Sequence, residues 1–501
     1  MTVESSADPR SGAPATSVAT TTRAILDQVL ERAGDAFTVL RTTPPAERGS
    51  WLVAAAEALE SHCEELALLA DWETALGLPR LRGEVNRTAS QARFYAEVAA
   101  EGSYLAATID TATANAPWLG RTNDPLGIVA VFGASNFPFA FSVFGNDTAS
   151  AIAAGCSVVV KAHPAHVAVS QRVFDIVHEA LSEAGAPEGT IGLVYGFDAG
   201  IALVEHERVS AVAFTGSEQA GMALWHAASA RTVAIPVFAE MGTVNSVTVT
   251  PRAGQSIASI ADGFVSSFTM GSGQFCTKPG LVFLPEDQRA EFEKEIQEGV
   301  GNMEPFGMLT HGIATKYTQS VRQRIAEGKA RVVAEKRGNG NPTAALGEPT
   351  VFGISLNEFL AHPDLSEEVF GPTTLLVHYG NEGDLLRAAH RLEGHLTATI
   401  HGTDEDLIRS EELIRVLETK VGRIVFNGFP TGVEVNHAMV HGGPFPATSD
   451  SRSTSVGSMA IWRFVRPVCY QDFPDAALPV ELQNANSLGI MRQVNGKRTR
   501  E

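Results

Sequence analysis

Gly127-Ile128-Val129-Ala130-Val131-Phe132-Gly133 decides the architecture. An uncharged run rich in β-branched residues and closed by glycine at both ends reads as a strand buried on both faces. A helical pattern over Asn146 to Ala154 follows it, and then a second such strand, Ser157-Val158-Val159-Val160-Lys161. The rhythm continues outward through a helix at Ala168 to Ala184, a strand at Ile191 to Tyr195, a helix near Ala199 to Glu205 and a strand at Val209 to Thr215. Strands alternating with helices imply a parallel sheet with right-handed crossovers, in the doubly wound pattern that binds nucleotides. On the N-terminal side, apolar residues recur at helical spacing over Ile25 to Leu40, Trp51 to Leu69 and Glu84 to Ala100. On the C-terminal side a second α/β stretch runs from Val237 to His437. It has a helix at Asp287 to Val300 and strands near Leu375 to His378 and Arg423 to Phe426.

The chain has 501 residues, 44% of them apolar, and a net charge of −19. That length suggests two to four domains and excludes wholesale disorder. The acidic balance argues against nucleic acid and against an anionic membrane surface. The uncharged run Gly127 to Gly145 contains Asn136, Pro138 and several glycines, which suit a strand and turn rather than a membrane-spanning helix. Four cysteines, Cys63, Cys156, Cys276 and Cys469, stand far apart with no metal-ligand spacing, so neither a metal nor a disulfide scaffold is expected. The stretch Met1 to Thr22 lacks an apolar signal region and reads as a flexible tail, consistent with a cytoplasmic protein. The segment Pro467 to Glu501 is polar, with only short apolar runs.

Chemistry concentrates in a few places. Gly273-Gln274-Phe275-Cys276-Thr277-Lys278-Pro279-Gly280 sets a cysteine in a glycine-flanked loop where a carbonyl can approach it, either as a nucleophile or as the small core thiol that is the commoner fate of a free cysteine. Glu240 closes the apolar strand Ile235 to Ala239; either poor solvation raises its pKa and makes it a usable base, or it caps a helix or joins a salt bridge. Asn136 follows the first strand, where its amide can donate to an oxyanion or simply make a turn before Pro138. Lys161 ends a parallel strand, where ligands lie in such sheets, and either binds ribose hydroxyls or phosphate or snorkels at the surface. Phe214-Thr215-Gly216-Ser217-Glu218-Gln219-Ala220-Gly221 follows a strand and opens a helix, either as a phosphate-binding N-terminus or as a plain β–α turn.

In this order, Asn136-Phe137-Pro138, Lys161, Phe214 to Ser217, Glu240-Met241-Gly242, Gly273 to Cys276 and Glu368-Val369-Phe370-Gly371-Pro372 resemble the NAD(P)-dependent aldehyde dehydrogenase superfamily over roughly residues 23 to 490. Arg121 to Gly127, Lys161 to His166, Gly273 to Gly280 and Arg466 to Gln471 look more narrowly like its α-ketoglutaric semialdehyde (2,5-dioxopentanoate) dehydrogenase branch. The resemblance implies an α/β fold with a doubly wound parallel-sheet cofactor domain at residues 23–105 and 126–239. A catalytic α/β domain would follow at 240–440. Segments 106–125 and 441–501 would bridge the domains and form a small β oligomerisation unit, giving a homodimer or homotetramer.

The resemblance also assigns roles. Cys276 would attack the aldehyde, and Asn136 with the Cys276 backbone N–H would hold the oxyanion. Glu240 would activate water against the thioester. The cofactor is NADP or NAD, with Lys161 and Glu368 on its riboses, Phe370 beside the nicotinamide, and Gly216, Ser217 and Gly221 along the pyrophosphate. NAD-preferring members carry Glu three residues after the lysine; Pro164 stands there instead, so NADP should be accepted. A dioxo acid needs a cation for its carboxylate. Arg87 or Arg93 is the candidate, and Phe137, Phe139, Phe275 and Phe445 would form an apolar tunnel. Neighbouring readings are an NADP-using fatty-aldehyde dehydrogenase, a coenzyme A-acylating dehydrogenase, which would not need Glu240, and a cysteine hydrolase. The hydrolase needs a histidine base, and no histidine is close to Cys276 in sequence.

Overall fold

In the computed structural model, residues 2–253, 257–304, 306–338 and 344–501 are described. The first sheet has five parallel strands in the order Ile191–Val194, Ser157–Lys161, Ile128–Phe132, Val209–Gly216, Val237–Met241. Its central strands are apolar on both faces because helices cover both. Arg23–Leu40 and Phe197–Glu205 contribute to one layer, and Asn146–Ala154 and Val167–Glu183 to the other. The helix Asn146–Ala154 has the bounds its pattern predicts. It is buried along its whole length, which accounts for its composition of small and apolar residues. From Ile128–Phe132 the chain winds outward first through Ser157–Lys161 and Ile191–Val194, then returns to the opposite side through Val209–Gly216 and Val237–Met241. That reversal is a topological switch point, and the crevice beyond its strand ends is where such sheets bind ligands.

The second sheet orders seven strands as Arg331–Glu335, Thr350–Ser355, Thr373–Tyr379, Pro279–Pro285, Asn245–Val249, His395–His401, Val421–Phe426; only the first pair is antiparallel. A third sheet joins distant parts of the chain: Val465–Gln471, Leu119–Pro125, Thr108–Asp110, Arg492–Val494 and Lys497–Thr499. The segment Pro467 to Glu501 therefore contains regular structure. Val465–Gln471 runs antiparallel to Leu119–Pro125 with only partial cover, so its apolar runs are short.

Two expectations change. Of the expected tail 1–22, the described residues 2–22 are not a tail: Val3–Ala7 pairs antiparallel with Pro14–Ala19. The hairpin is held by partners far along the chain. Arg10 grips Asp71 with both carboxylate oxygens at 2.8 Å, the Thr21 N–H donates to the Tyr195 carbonyl at 2.9 Å, and the Ser6 hydroxyl donates to the buried Glu73. Trp51 to Leu69 is not one helix either; the backbone breaks at His62 into Pro45–Ser61 and Cys63–Thr74.

The helix Leu78–Glu101 packs along Pro45–Ser61 and carries Arg80, Arg87 and Arg93. At about 100° per residue, Arg80 and Arg87 lie within about 20° of each other, whereas Arg93 is turned about 120° away from Arg87. Arg93 accordingly meets Glu60 at 2.6 Å on the outer surface. Glu84, on the inner side, accepts the backbone N–H groups of Phe139 and Ala140 at 2.9 and 3.1 Å, pinning the loop that follows Ile128–Phe132.

Glu73 ties three pieces together, since it also accepts the Ala168 and Val169 N–H groups at 3.0 and 2.9 Å. Glu73→Ala leaves those donors and the Ser6 hydroxyl buried and unpaired, and should destabilise the fold by about 3 kcal/mol in urea unfolding. A loss below about 0.5 kcal/mol would show that water satisfies the donors and that the hairpin is not anchored here.

Candidate functional site

A cavity of about 670 Å³ lies at the switch point. The ends of Ile128–Phe132 and Val209–Gly216 supply Asn136, Gly216 and Ser217 to its wall. Cys276, Glu368 and Phe370 approach from the second sheet's side, Glu240 from the first sheet's edge strand Val237–Met241, and Pro164 closes another edge. Lys161 sits just behind this wall, where its ammonium meets Glu4 at 3.1 Å. Gly221 lies beneath it in the helix Glu218–Ser229; a Cβ there would stand 2.7 Å from the Met241 sulfur.

The wall fits a dinucleotide. A Cβ on Gly216 would stand 2.5 Å from the Phe214 ring, and one on Gly242 would collide with the Glu368 carboxylate, so backbone reaches places that side chains would fill. The Thr215 hydroxyl is buried and has no hydrogen-bond partner among the described residues. Ser217 caps the helix Glu218–Ser229 by accepting the Ala220 N–H at 3.3 Å, aiming that helix N-terminus at the cavity.

Glycine chemistry and buried polar side chains shape the cysteine loop. Gly271, Ser272 and Gly273 take φ of 56°, 60° and 64° in succession, and a Cβ on Gly273 would clash with the Gly371 carbonyl. The Asn245 amide donates to the Cys276 carbonyl at 2.8 Å and to that of Lys278 at 3.1 Å. Lys278 turns into the protein and donates to the carbonyls of Val369, Gly371 and Thr373 at 2.9, 3.0 and 2.8 Å. The cysteine loop and the Glu368–Phe370 loop are thereby one unit. Burial pushes the Glu368 carboxyl up and the Lys278 ammonium down, each opposed by the other's charge.

Cys276 is half-buried, and its Sγ lies 3.4 Å from Nε2 of His441. The same Nε2 is 3.1 Å from Glu240 Oε1, and the Ser455 hydroxyl donates to Glu240 Oε2 at 2.8 Å. The Thr454 hydroxyl fixes the His441 backbone by accepting its N–H at 2.8 Å. Burial and the negative charges of Glu240 and Glu368 raise the Cys276 pKa well above the ordinary thiol value. The expectation that Glu240 is raised does not hold. Burial acts in that direction, but the charge and hydrogen bond of His441, with further hydrogen bonds from Ser455 and Cys276, outweigh it and lower its pKa. Sequence reasoning missed His441, which stands 165 positions from Cys276. The one local hint is His441-Gly442-Gly443, where a Cβ on Gly442 would press on the Ser453 carbonyl at 2.6 Å; two glycines after a histidine mark a backbone folded closely around it.

Asn136 donates its amide to the Gln274 carbonyl at 2.9 Å and so stands beside the cysteine loop, with one N–H engaged there. Phe137 and Phe275 meet edge-on at 5.4 Å, and Phe141 joins Phe137 at 5.4 Å. Phe445 is not in this group: it is 57% exposed, held outside by a backbone turn packed on Gly394. Phe139 belongs to the helical core instead. Arg87 lies over Phe137 and Phe141 at 5.8 and 5.7 Å, with its Nε and Nη2 buried and unpartnered among the described residues. Burial lowers its pKa, opposed by Glu84 and Cys276. Arg80, unnoticed in the sequence although it shares a helix face with Arg87, stacks over Phe275 at 4.8 Å and donates to the Asn136 carbonyl at 2.7 Å. Arg93, paired with Glu60, is outside the site.

The family model for the aldehyde dehydrogenase family matches residues 2–444. "Alpha-ketoglutaric semialdehyde dehydrogenase 2" of Azospirillum brasilense is 44% identical over 98% of this chain and 95% of its own length. The alpha-ketoglutaric semialdehyde dehydrogenase of Acinetobacter baylyi is 42% identical over 94% of this chain and 91% of its own. Among solved structures, PnpE in complex with nicotinamide adenine dinucleotide superposes with a TM-score of 0.82 at 22% identity, covering 94% of both chains. A switch-point cavity with a loop cysteine, and similarity along almost the whole chain, lead to one conclusion: the chain belongs to the aldehyde dehydrogenase family.

Proposed function

We propose that this protein oxidises 2,5-dioxopentanoate to 2-oxoglutarate with NAD(P), through a thioester on Cys276. The observation that carries this reading is the cluster of Cys276 and Glu240, both in the cavity wall, with His441 in contact with each and the unpartnered guanidinium of Arg87 on the Phe137–Phe141 side. The two relatives above bear the name of this substrate, at more than 40% identity.

The raised Cys276 pKa means the resting thiol is protonated, so attack requires a base. His441 Nε2 is the group within reach. In the neutral ring whose proton is on Nδ1, Nε2 takes the thiol proton, Glu240 stabilises the imidazolium so formed, and Sγ bonds to the aldehyde carbon. The oxygen becomes an oxyanion facing the Asn136 amide. The bound nicotinamide supplies the acceptor for the hydride whose loss turns this adduct into a thioester. Glu240, ionised because of its neighbours, then takes a proton from water. The hydroxide attacks the thioester carbonyl, the C–S bond breaks, and Sγ recovers its proton from His441. Lys161, Glu368, Phe370 and the turn Gly216 to Gly221 would hold the dinucleotide, with Pro164 at its edge. Arg87 would receive the substrate carboxylate; Phe137 and Phe275 would flank its methylenes.

His441 supplies the base that a cysteine hydrolase would need, so its presence removes one objection to that reading. The doubly wound sheet and the family favour oxidation. An alkanal offers nothing to Arg87, which disfavours the fatty-aldehyde alternative. Assembly as a homodimer or homotetramer is supported by the edge strand Val465–Gln471, whose outer side has no partner among the described residues. Four unpaired cysteines suit a reducing, cytoplasmic setting. Among the described residues no helix is long and apolar enough to cross a membrane.

Cys276→Ser should lower kcat by on the order of 10³-fold or more while dinucleotide binding in calorimetry persists. Retained turnover would move the chemistry elsewhere. With Glu240→Gln, the acyl group should remain on Cys276, visible as an adduct in intact-protein mass spectrometry, and kcat should fall about 10²–10⁴-fold. Wild-type turnover without an adduct would take Glu240 out of hydrolysis. Arg87→Met should reduce kcat/KM for the oxo acid about 100-fold and for pentanal by less than about threefold. Equal losses would make Arg87 structural.

A further inference from the structure

We infer that Glu4, carried on the N-terminal hairpin, makes this enzyme select NAD over NADP by accepting hydrogen bonds from the free adenosine-ribose hydroxyls and repelling a 2′-phosphate at Lys161. The inference rests on the reading that Lys161 binds that ribose. In doubly wound sheets a carboxylate near the ribose goes with NAD, and a nearby cation accommodates the 2′-phosphate of NADP. Pro164 offers neither.

The carboxylate comes from elsewhere in the chain. Glu4 Oε1 stands 3.1 Å from Lys161 Nζ, and Oε2 accepts the Gly196 N–H at 3.1 Å. The two side chains are only 12% and 11% exposed. Both partners sit at the carboxyl ends of neighbouring parallel strands, Ser157–Lys161 and Ile191–Val194. The next hairpin residues, Ser5 to Ala7, line the cavity from one side, and His163 and Pro164 line it from the other. The pair therefore lies at the cavity's edge.

Its chemistry suits a diol. An ammonium has three donors, and Glu4 uses one, so two remain for hydroxyls. Each carboxylate oxygen has a second lone pair that can accept from a hydroxyl. A phosphate at Nζ would face a lysine already neutralised by Glu4, with the carboxylate close by. Lys316, the one lysine or arginine among the described residues lining the cavity, acts on the Glu368 carboxylate. Burial, reinforced by His166 and Lys161, lowers the His163 pKa well below the ordinary imidazole value, and burial lowers that of His166 as well. Arg208 lies against Gly34 on the helix Arg23–Leu40, away from the cavity. The carboxylate is also held in place. The hairpin's contacts with Glu73, Asp71 and Tyr195 fix its position, so no ordering is required when a ligand arrives.

The test is calorimetric titration of wild type, Glu4→Gln and Glu4→Ala with NAD and with NADP separately. Wild type should bind NAD more tightly. Both variants should shift the ratio of dissociation constants towards NADP by about tenfold, the size expected for removing one close charge near a protein surface. An unchanged ratio in both variants, or a wild type that prefers NADP, overturns the inference. Lys161→Met separates this failure from failure of the underlying reading. If it binds both dinucleotides as wild type does, the ribose reading falls and the inference falls with it. If it weakens both while Glu4→Gln leaves the ratio unchanged, only the inference about Glu4 falls.

Discussion

One imidazole nitrogen joins the loop thiol to the buried carboxylate of the cavity. Nε2 of His441 faces Cys276 Sγ at 3.4 Å and Glu240 Oε1 at 3.1 Å, and these residues arrive on three separate stretches of chain. A carboxylate as deeply buried as Glu240 would be costly alone. His441 and Ser455 compensate for its desolvation, and the result is an ionised base beside a thiol kept protonated by the same negative charge. On the mechanism proposed above, a poorly acidic cysteine serves as nucleophile because its proton has somewhere to go.

The surrounding structure keeps that cluster against the nucleotide crevice. Lys278 spends its three donors on the loop bearing Glu368 and Phe370, Asn245 fixes the carbonyls of Cys276 and Lys278, and Gly273 lets the cysteine loop lie against Gly371. Glu84 pins the loop after Ile128–Phe132 from the opposite side, and the Asn136 amide bridges to Gln274. The N-terminal hairpin completes the rim, bringing a carboxylate to Lys161.

Much of this was legible in the sequence where the signal is local. The parallel strands announce themselves because burial on both faces requires continuous apolar runs, and the helix Asn146–Ala154 is bounded as its pattern requires. Cys276, Glu240 and Asn136, each singled out by a local motif, line one cavity. What was not legible depends on distance along the chain or on angle. The hairpin at Val3–Ala19 is made of small polar residues and is stabilised by Glu73, Asp71 and Tyr195, none of them local. His441 is marked locally only by the two glycines that follow it, and its partners Cys276 and Glu240 are far off in the chain. Arg87 and Arg93 looked alike as charges, and only the helical turn separates the one facing the cavity side from the one paired with Glu60. Phe445 is aromatic and near His441 in sequence, yet its backbone turn leaves it facing solvent.

The central claim is that a cysteine-centred site next to an unpaired guanidinium oxidises an aldehyde that bears a carboxylate. Steady-state comparison of 2,5-dioxopentanoate with pentanal on the purified wild-type enzyme, each with NAD and following nicotinamide reduction, tests it directly. A kcat/KM at least about tenfold higher for the oxo acid is the result predicted, because the uncharged aldehyde leaves the buried cation unmatched. Equal or better turnover of pentanal, or no reduction of the nicotinamide with either compound, would contradict it.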